Sequence, residues 1–185
     1  MNPSSPTPRV GVLTVSDRCS RGEAQDTSGP ALCEIVRSRL TWDVVATACL
    51  PDDRALLAQQ FRAWAEPGAR IDLILSTGGT GLAPRDVTPE AAMDVIERPH
   101  AGLMELARLR CLPKTARTFL SRGVAGVCRQ TLILTLPGSP RGASENLEAL
   151  LDILPHAIET LRGEVQDDGR PGARSATGRV IEHRD

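Results

Sequence analysis

The stretch from Ile71 to Glu90, IDLILSTGGTGLAPRDVTPE, decides the fold. Its first six residues, Ile71 to Ser76, are nearly all apolar and short enough to read as a buried strand. TGGTGLAPRD follows at once, offering small side chains and exposed amides. Thr88, Pro89 and Glu90 then make a helix start, with threonine as the cap and proline in the first position. The segment through Arg110 reads as one or two helices.

The same order recurs on both sides. Arg9 to Ser16 (RVGVLTVS) reads as a strand that feeds the loop DRCSRGEAQDTSGP. A helix follows with Asp26, Thr27 or Ser28 as cap, Pro30 in its first turn, and Leu32, Ile35, Val36 and Leu40 on one face. Asp43 to Leu50 reads as a strand that breaks at Pro51, and Asp52 is placed to cap a helix carrying Leu57, Phe61 and Trp64. Thr131 to Leu136 (TLILTL) enters a second small-residue loop, PGSPRGASEN. The helix after it carries Leu147, Leu150, Leu151, Leu154, Ile158 and Leu161, with a kink expected at Pro155. Residues 112 to 129 carry no clear pattern.

Continuous apolar strands alternating with amphipathic helices specify an α/β fold, a three-layer α/β/α arrangement around a mainly parallel sheet. At 185 residues and 41% hydrophobic content the chain fits a single domain. Its expected limits are 9–163, between a flexible start at 1–8 and a flexible polar tail at 164–185. A net charge of −1 offers no long-range attraction to nucleic acid or anionic lipid. The five cysteines form no CxxC pair and stand apart from His100, His156 and His183, so neither a disulfide framework nor a zinc site follows. MNPSSPTPRV lacks the apolar stretch of a secretory signal and no run has the length of a membrane span, which makes a reducing cytoplasm the expected location. All but one of the basic residues are arginine, Lys114 being the exception, and the pattern assigns the arginines no role.

In such sheets ligands collect at the carboxyl ends of the strands, and SDRCSRG, PDD, STGGTG and LPGSP all follow a strand. Thr77 to Gly81 (TGGTG) bares amides that can nest a phosphate, although an ordinary tight turn needs the same residues. No Gly-Lys-Ser/Thr follows, and Pro84 stands where a dinucleotide fingerprint would place its third glycine. Pro137 to Gly142 precede a helix whose N-terminus can face a second negative group, or they simply connect strand to helix. Asp52 and Asp86 are loop carboxylates suited to Mg²⁺ between phosphate oxygens. Asp52 is equally suited to be a helix cap, and Asp86 to pair with Arg85 or another arginine. No nucleophile elbow is present, so covalent catalysis has no support.

VLTVSD, DTSGP, ATACLPDD, DLILSTGGTGLAPRDVTPEA, FLSR and LPGSP, in this order from about Val10 to Gly163, resemble the molybdopterin adenylyltransferase family. That family includes the gephyrin G domain and its bacterial counterparts. The resemblance implies a cytoplasmic homotrimer that adenylylates molybdopterin with ATP and Mg²⁺ ahead of molybdate insertion, with a molybdenum-insertion enzyme as partner. By position, Asp52 and Asp86 match catalytic and metal-holding carboxylates, and Ser121 in FLSR matches a pterin-binding serine. Nucleotide and phosphate contacts fall on Ser16, Asp17, Asp26, Ser28, Gly29, Thr77, Gly78, Gly79, Thr80, Gly81, Pro137, Gly138 and Ser139. Gly123 and Ser139 depart from the pattern of relatives that carry a hydroxyl residue and asparagine there. The alternatives are a non-catalytic molybdopterin-binding or scaffold protein of the same fold, and another nucleotidyl or phosphoryl transferase. For the trimer contact, Leu103, Leu106 and Leu109 between Ala101 and Leu112 exceed what the core accounts for.

Overall fold

The computed structural model describes residues 6–164; residues 1–5 and 165–185, with His183 and nearly all of the expected tail, lie outside it. Six strands form one sheet in the order β2-β1-β3-β6-β5-β4: β1 is Arg9–Val15, β2 Asp43–Leu50, β3 Leu73–Thr77, β4 Arg98–Pro99, β5 Ala125–Cys128 and β6 Thr131–Leu136. Strands β2, β1, β3 and β6 run parallel, while β5 is antiparallel to both β6 and β4. The α/β class is thus as the sequence implies, with an antiparallel margin that it did not announce.

Among the described residues seven α-helices accompany the sheet: α1 Asp17–Ser20, α2 Ser28–Ile35, α3 Arg54–Ala65, α4 Thr88–Met93, α5 Ala101–Cys111, α6 Pro140–Glu148 and α7 Leu154–Arg162. Strand periodicity decides which layer each one meets. Val10, Val12, Leu73, Leu75, Leu132 and Leu134 point to one face and pack with Leu32 and Val36, Met104 and Ala107, Leu147, and Leu154 and Ile158 from the α2, α5, α6 and α7 side. Leu13, Val15, Ile74 and Ile133 point to the other, against Leu57 and Phe61 of α3 and Ala91 and Ala92 of α4. Gly11 is where Trp64 lies on β1, since a Cβ there would sit 2.8 Å from the indole Cε3. Strand β2, paired on one side only, is half exposed rather than buried throughout.

The helix starts differ in detail from expectation. Asp53, not Asp52, caps α3: its backbone is extended and its Oδ1 accepts from Ala55 N at 2.9 Å and Leu56 N at 3.0 Å. Asp52 is left without that role. Thr88 is not the cap of α4 but its first residue, with a fully buried hydroxyl that finds no partner. At α2, Asp26 holds the first turn by accepting from Ser28 N and Gly29 N. Pro155 does not kink one long helix: the chain breaks after Glu148, turns, and starts α7 with Pro155 in the first turn, where its missing N–H costs nothing.

Between α4 and α5 the chain makes the two-residue strand β4. Residues 112–129 hold a 3₁₀ turn, Ala116–Leu120, and β5. Of the three leucines expected at an interface, Leu103 is buried in the core and Leu106 packs against it, whereas Leu109 is 59% exposed.

Candidate functional site

Strand register brings the loops together. Thr14 aligns with Thr77, and Thr77 with Leu136, so the chain leaves β1, β3 and β6 at one level. Ser16 N donates to Leu50 O at 2.9 Å and Gly78 N to Leu136 O at 3.3 Å, which stitches the four parallel ends. The chain leaving β1 runs to β2 on one side while the chain leaving β3 runs to the opposite side of the sheet, and the point of reversal between these two strands is where such sheets open a crevice.

The glycine loop fits this crevice because two of its residues have positive φ, Gly78 at +105° and Gly79 at +60°. A side chain on Gly78 would collide with the carbonyl of Val15, and one on Gly79 would lie 2.6 Å from Asp52 Oδ1. Beside Gly81, a Cβ would meet Asp86 Oδ2 at 2.8 Å. The two carboxylates thus stand against bare backbone of one loop.

Asp17 organises this cluster. Its Oδ1 accepts from Asp52 N at 3.1 Å, and both its oxygens accept from Arg85 Nη2 at 2.7 and 2.6 Å. Arg85 pairs with Asp17, therefore, and not with Asp86. The Arg85 hydrogen bond holds the Asp17 carboxyl below the usual carboxylate range. Burial pushes Asp52 the other way, upward, and the charges of Asp17 and Asp86 add to that. The Asp17 backbone N–H hydrogen-bonds to the Asp52 carboxylate and tempers that rise, while among the described residues Asp86 Oδ2 accepts from Ala83 N at 2.9 Å.

Among the described residues no set of three or more His, Cys, Asp or Glu is arranged to hold a metal alone. Two crowded carboxylates with spare lone pairs nevertheless suit Mg²⁺, which takes one or two protein carboxylates and completes its shell with phosphate and water. The donor set at Asp52 and Asp86 fits that ion.

Across the loop lies a cleft of ≈ 520 Å³, within the range of small-molecule sites, lined by Thr80, Gly81, Ser121, Pro137, Gly138 and Ser139 among others. Thr80 Oγ1 and Ser121 Oγ are hydrogen-bonded at 3.0 Å, and Thr77 Oγ1 donates to Pro137 O at 2.7 Å. Ser139 caps α6, its Oγ accepting from Gly142 N at 3.1 Å. Ser16 plays the same part for α1, accepting from Cys19 N at 3.2 Å.

Asp26, Ser28 and Gly29 lie elsewhere. They line or adjoin a second cavity of ≈ 610 Å³ with Cys33 and Cys49. The carboxylate of Asp26 is engaged by the protein itself, accepting from Thr14 Oγ1 at 2.6 Å, Ser28 N at 3.1 Å and Gly29 N at 3.0 Å.

Sequence reading missed the arginines. Arg122 Nε donates to Gly81 O at 2.7 Å and its Nη2 to Asp86 O at 2.6 Å, and its other amine meets Glu90 on α4. From the opposite side Arg108 Nη2 donates to Ser121 O at 3.1 Å and Gly123 O at 2.6 Å. Between them the two guanidiniums fix Ser121-Arg122-Gly123 and both ends of the Gly81 to Asp86 stretch that follows the glycines. No local pattern announces this, since Arg122 reaches partners 41 and 36 positions away.

A doubly covered parallel sheet with glycine loops, crowded carboxylates and a cleft at its carboxyl edge defines a ligand-binding α/β protein of the doubly wound class. The chain belongs to the family described as "Probable molybdopterin binding domain", whose model matches residues 11–156. It is 36% identical over 170 residues to the molybdopterin adenylyltransferase of Escherichia coli K12, covering 85% of this chain and 87% of that protein. To the gephyrin of Dictyostelium discoideum it is 42% identical over 160 residues, 80% of this chain but 22% of gephyrin. The cinnamon protein of Drosophila melanogaster is likewise matched over 26% of its length, so the chain spans about a quarter of these two relatives. Among solved structures, the molybdopterin biosynthesis enzyme MoaB of Thermus thermophilus superposes with a TM-score of 0.79 at 51% identity, covering 84% of this chain and 96% of that one.

Proposed function

We propose that the protein is a molybdopterin adenylyltransferase. A phosphate oxygen of molybdopterin attacks the α-phosphorus of ATP, the bond from that phosphorus to the β-phosphate bridging oxygen breaks, and pyrophosphate leaves. No enzyme nucleophile is consumed. Two polyanions must be aligned and their charge offset, and bare amides with metal-holding carboxylates perform both tasks.

The observation that carries the reading is the Asp52 carboxylate, partly buried and crowded by the charges of Asp17 and Asp86 against the bare backbone of the glycine loop. Asp52 and Asp86 would hold Mg²⁺, which offsets charge on the phosphates when bound. Ser121 and Thr80 line the cleft for the pterin, and Pro137, Gly138 and Ser139 close its far side. Relatives named molybdopterin adenylyltransferase in Helicobacter pylori, matched over 89% of their length, support the assignment.

The chain works as a cytoplasmic homotrimer in this proposal. Its described cysteines are all free, and no helix among the described residues is long and apolar enough to cross a membrane. The test is pyrophosphate release from ATP and Mg²⁺ with and without molybdopterin. Release that depends on molybdopterin is expected; tight molybdopterin binding without release would make the chain a carrier or scaffold instead.

A further inference from the structure

The same cleft contains one acid, Glu145 on α6, and its surroundings suggest what end of a ligand it meets. The Glu145 side chain is only 14% exposed. Its Oε1 accepts from Arg141 Nε at 3.0 Å and lies 3.8 Å from Lys114 Nζ, whereas Oε2 accepts nothing from the described residues. Thr118 lines the cleft with a buried hydroxyl that has no partner. Leu120, 55% exposed and without an evident packing role, and Pro137 give the same cleft apolar surface.

A largely buried carboxylate beside an ammonium is a donor-seeking group next to a donor. The complementary ligand edge presents one acceptor and two adjacent N–H donors. In a 2-amino-4-oxopteridine these are O4, N3–H and the 2-amino group, on a flat ring that apolar walls can cover. We propose that Glu145 accepts N3–H and the 2-amino group of the pterin while Lys114 donates to O4, so that this pair sets specificity for the ring. The inference rests on the proposed function, which puts the pterin in this cleft, and deepens it. The phosphate end of the ligand then runs past Thr80 and Ser121 toward Asp52 and Asp86.

The test compares pterin with lumazine, which carries a second carbonyl in place of the 2-amino group, by ligand-observed NMR titration of the full chain. A site built to pair with an N–H group rejects an analogue that lacks it, so wild type should bind pterin at least about tenfold tighter than lumazine. Glu145→Gln turns an amide N–H toward the ring donors and should bring that ratio close to one. Arg141→Ala removes the ion pair but keeps the carboxylate, and should keep the ratio; circular dichroism confirms that each variant is folded. An unchanged ratio in Glu145→Gln overturns the inference, as does equal binding of the two rings by wild type. If wild type adenylylates molybdopterin while the ratio stays unchanged, only the Glu145 assignment fails. If it binds neither pterin nor molybdopterin, the cleft is not a pterin site and both readings fail.

Discussion

Arg122 Nη2 donates to the backbone carbonyl of Asp86 at 2.6 Å, so the residue after the cleft serine fixes the backbone that carries the Asp86 carboxylate. The same guanidinium also holds Gly81 O, so the Gly81 to Asp86 stretch cannot drift without breaking charge-assisted bonds. Lysine has no planar fork and can satisfy one of these carbonyls at a time. Arg122→Lys should lower kcat by about 10- to 100-fold, the usual scale for groups that orient metal-holding residues, while KM for molybdopterin changes little. Calorimetric Mg²⁺-ATP binding should weaken in parallel. A variant with wild-type kcat and Mg²⁺-ATP affinity would leave Arg122 a purely structural residue.

Adjacent aspartates separate capping from chemistry. Asp53 caps α3 through Ala55 N and Leu56 N, so Asp53→Ala should cost about 1 kcal/mol in denaturant unfolding and leave turnover nearly intact. Asp52→Asn should do the reverse, keeping the unfolding midpoint and losing pyrophosphate release. Asp86→Asn should likewise lower single-turnover adenylylation far more than molybdopterin binding, because its effect arises in the transition state. If Asp52→Asn unfolds more readily and still turns over, the proposed metal site is wrong.

Those neighbours also mark how far sequence reading goes. Strands β1, β2 and β6 were legible almost to the residue, because RVGVLTV, DVVATACL and TLILTL are short apolar runs bounded by turn residues. Strand β5 was not: AGVC carries one branched residue and is a strand only because β6 lies beside it. Both Asp52 and Asp53 follow Pro51, and only the backbone path decides that the second one turns toward the helix amides. The glycine loop announced itself through composition. Arg85, Arg108 and Arg122 did not, since each acts through a partner distant in the chain and arginine is common throughout this sequence.

Gly78 and Gly79 should tolerate nothing larger. Both have positive φ, and a methyl group on Gly78 would strike the Val15 carbonyl while one on Gly79 would press on Asp52. Gly78→Ala is expected to lower stability by roughly 1–3 kcal/mol, the scale of a forced backbone strain. Gly79→Ala should in addition abolish adenylylation by displacing Asp52. Near-native unfolding midpoints for both variants would contradict the loop geometry.

Acid should loosen the loop through Glu90. The hydrogen bond from Arg122 holds the Glu90 carboxyl below its ordinary value, so its contribution to stability is complete above the unfolded-state pKa, about 4.3, and fades as pH falls through the lowered folded-state value. Because the pair is more than a third exposed, screening keeps the effect small. Thermal melts from pH 7 to pH 3 should show a shallower acid decline for Glu90→Gln than for wild type. Parallel curves would mean the ion pair contributes nothing to the acid limb.

The proposed trimer has its sharpest test at Leu109. Leu106 was the attractive position by spacing, but it packs against the core, and a charge there would report folding rather than assembly. Leu109 is 59% exposed, with Leu112 and Phe119 also exposed at 45% and 52%, more apolar surface than an isolated helix end needs. Glu105, Arg108, Leu109 and Phe119 line a shallow hollow there, so α5 and the 3₁₀ turn present one surface. Arg108 is held inward by the carbonyls of Ser121 and Gly123, with Glu105 beside it, which leaves the apolar side chains as the outward surface. Leu109→Glu should therefore give a folded monomer by light scattering and circular dichroism, where wild type gives a trimer insensitive to reducing agent. A trimeric Leu109→Glu variant would move the contact to another face, and a monomeric wild type would remove threefold assembly from the proposal.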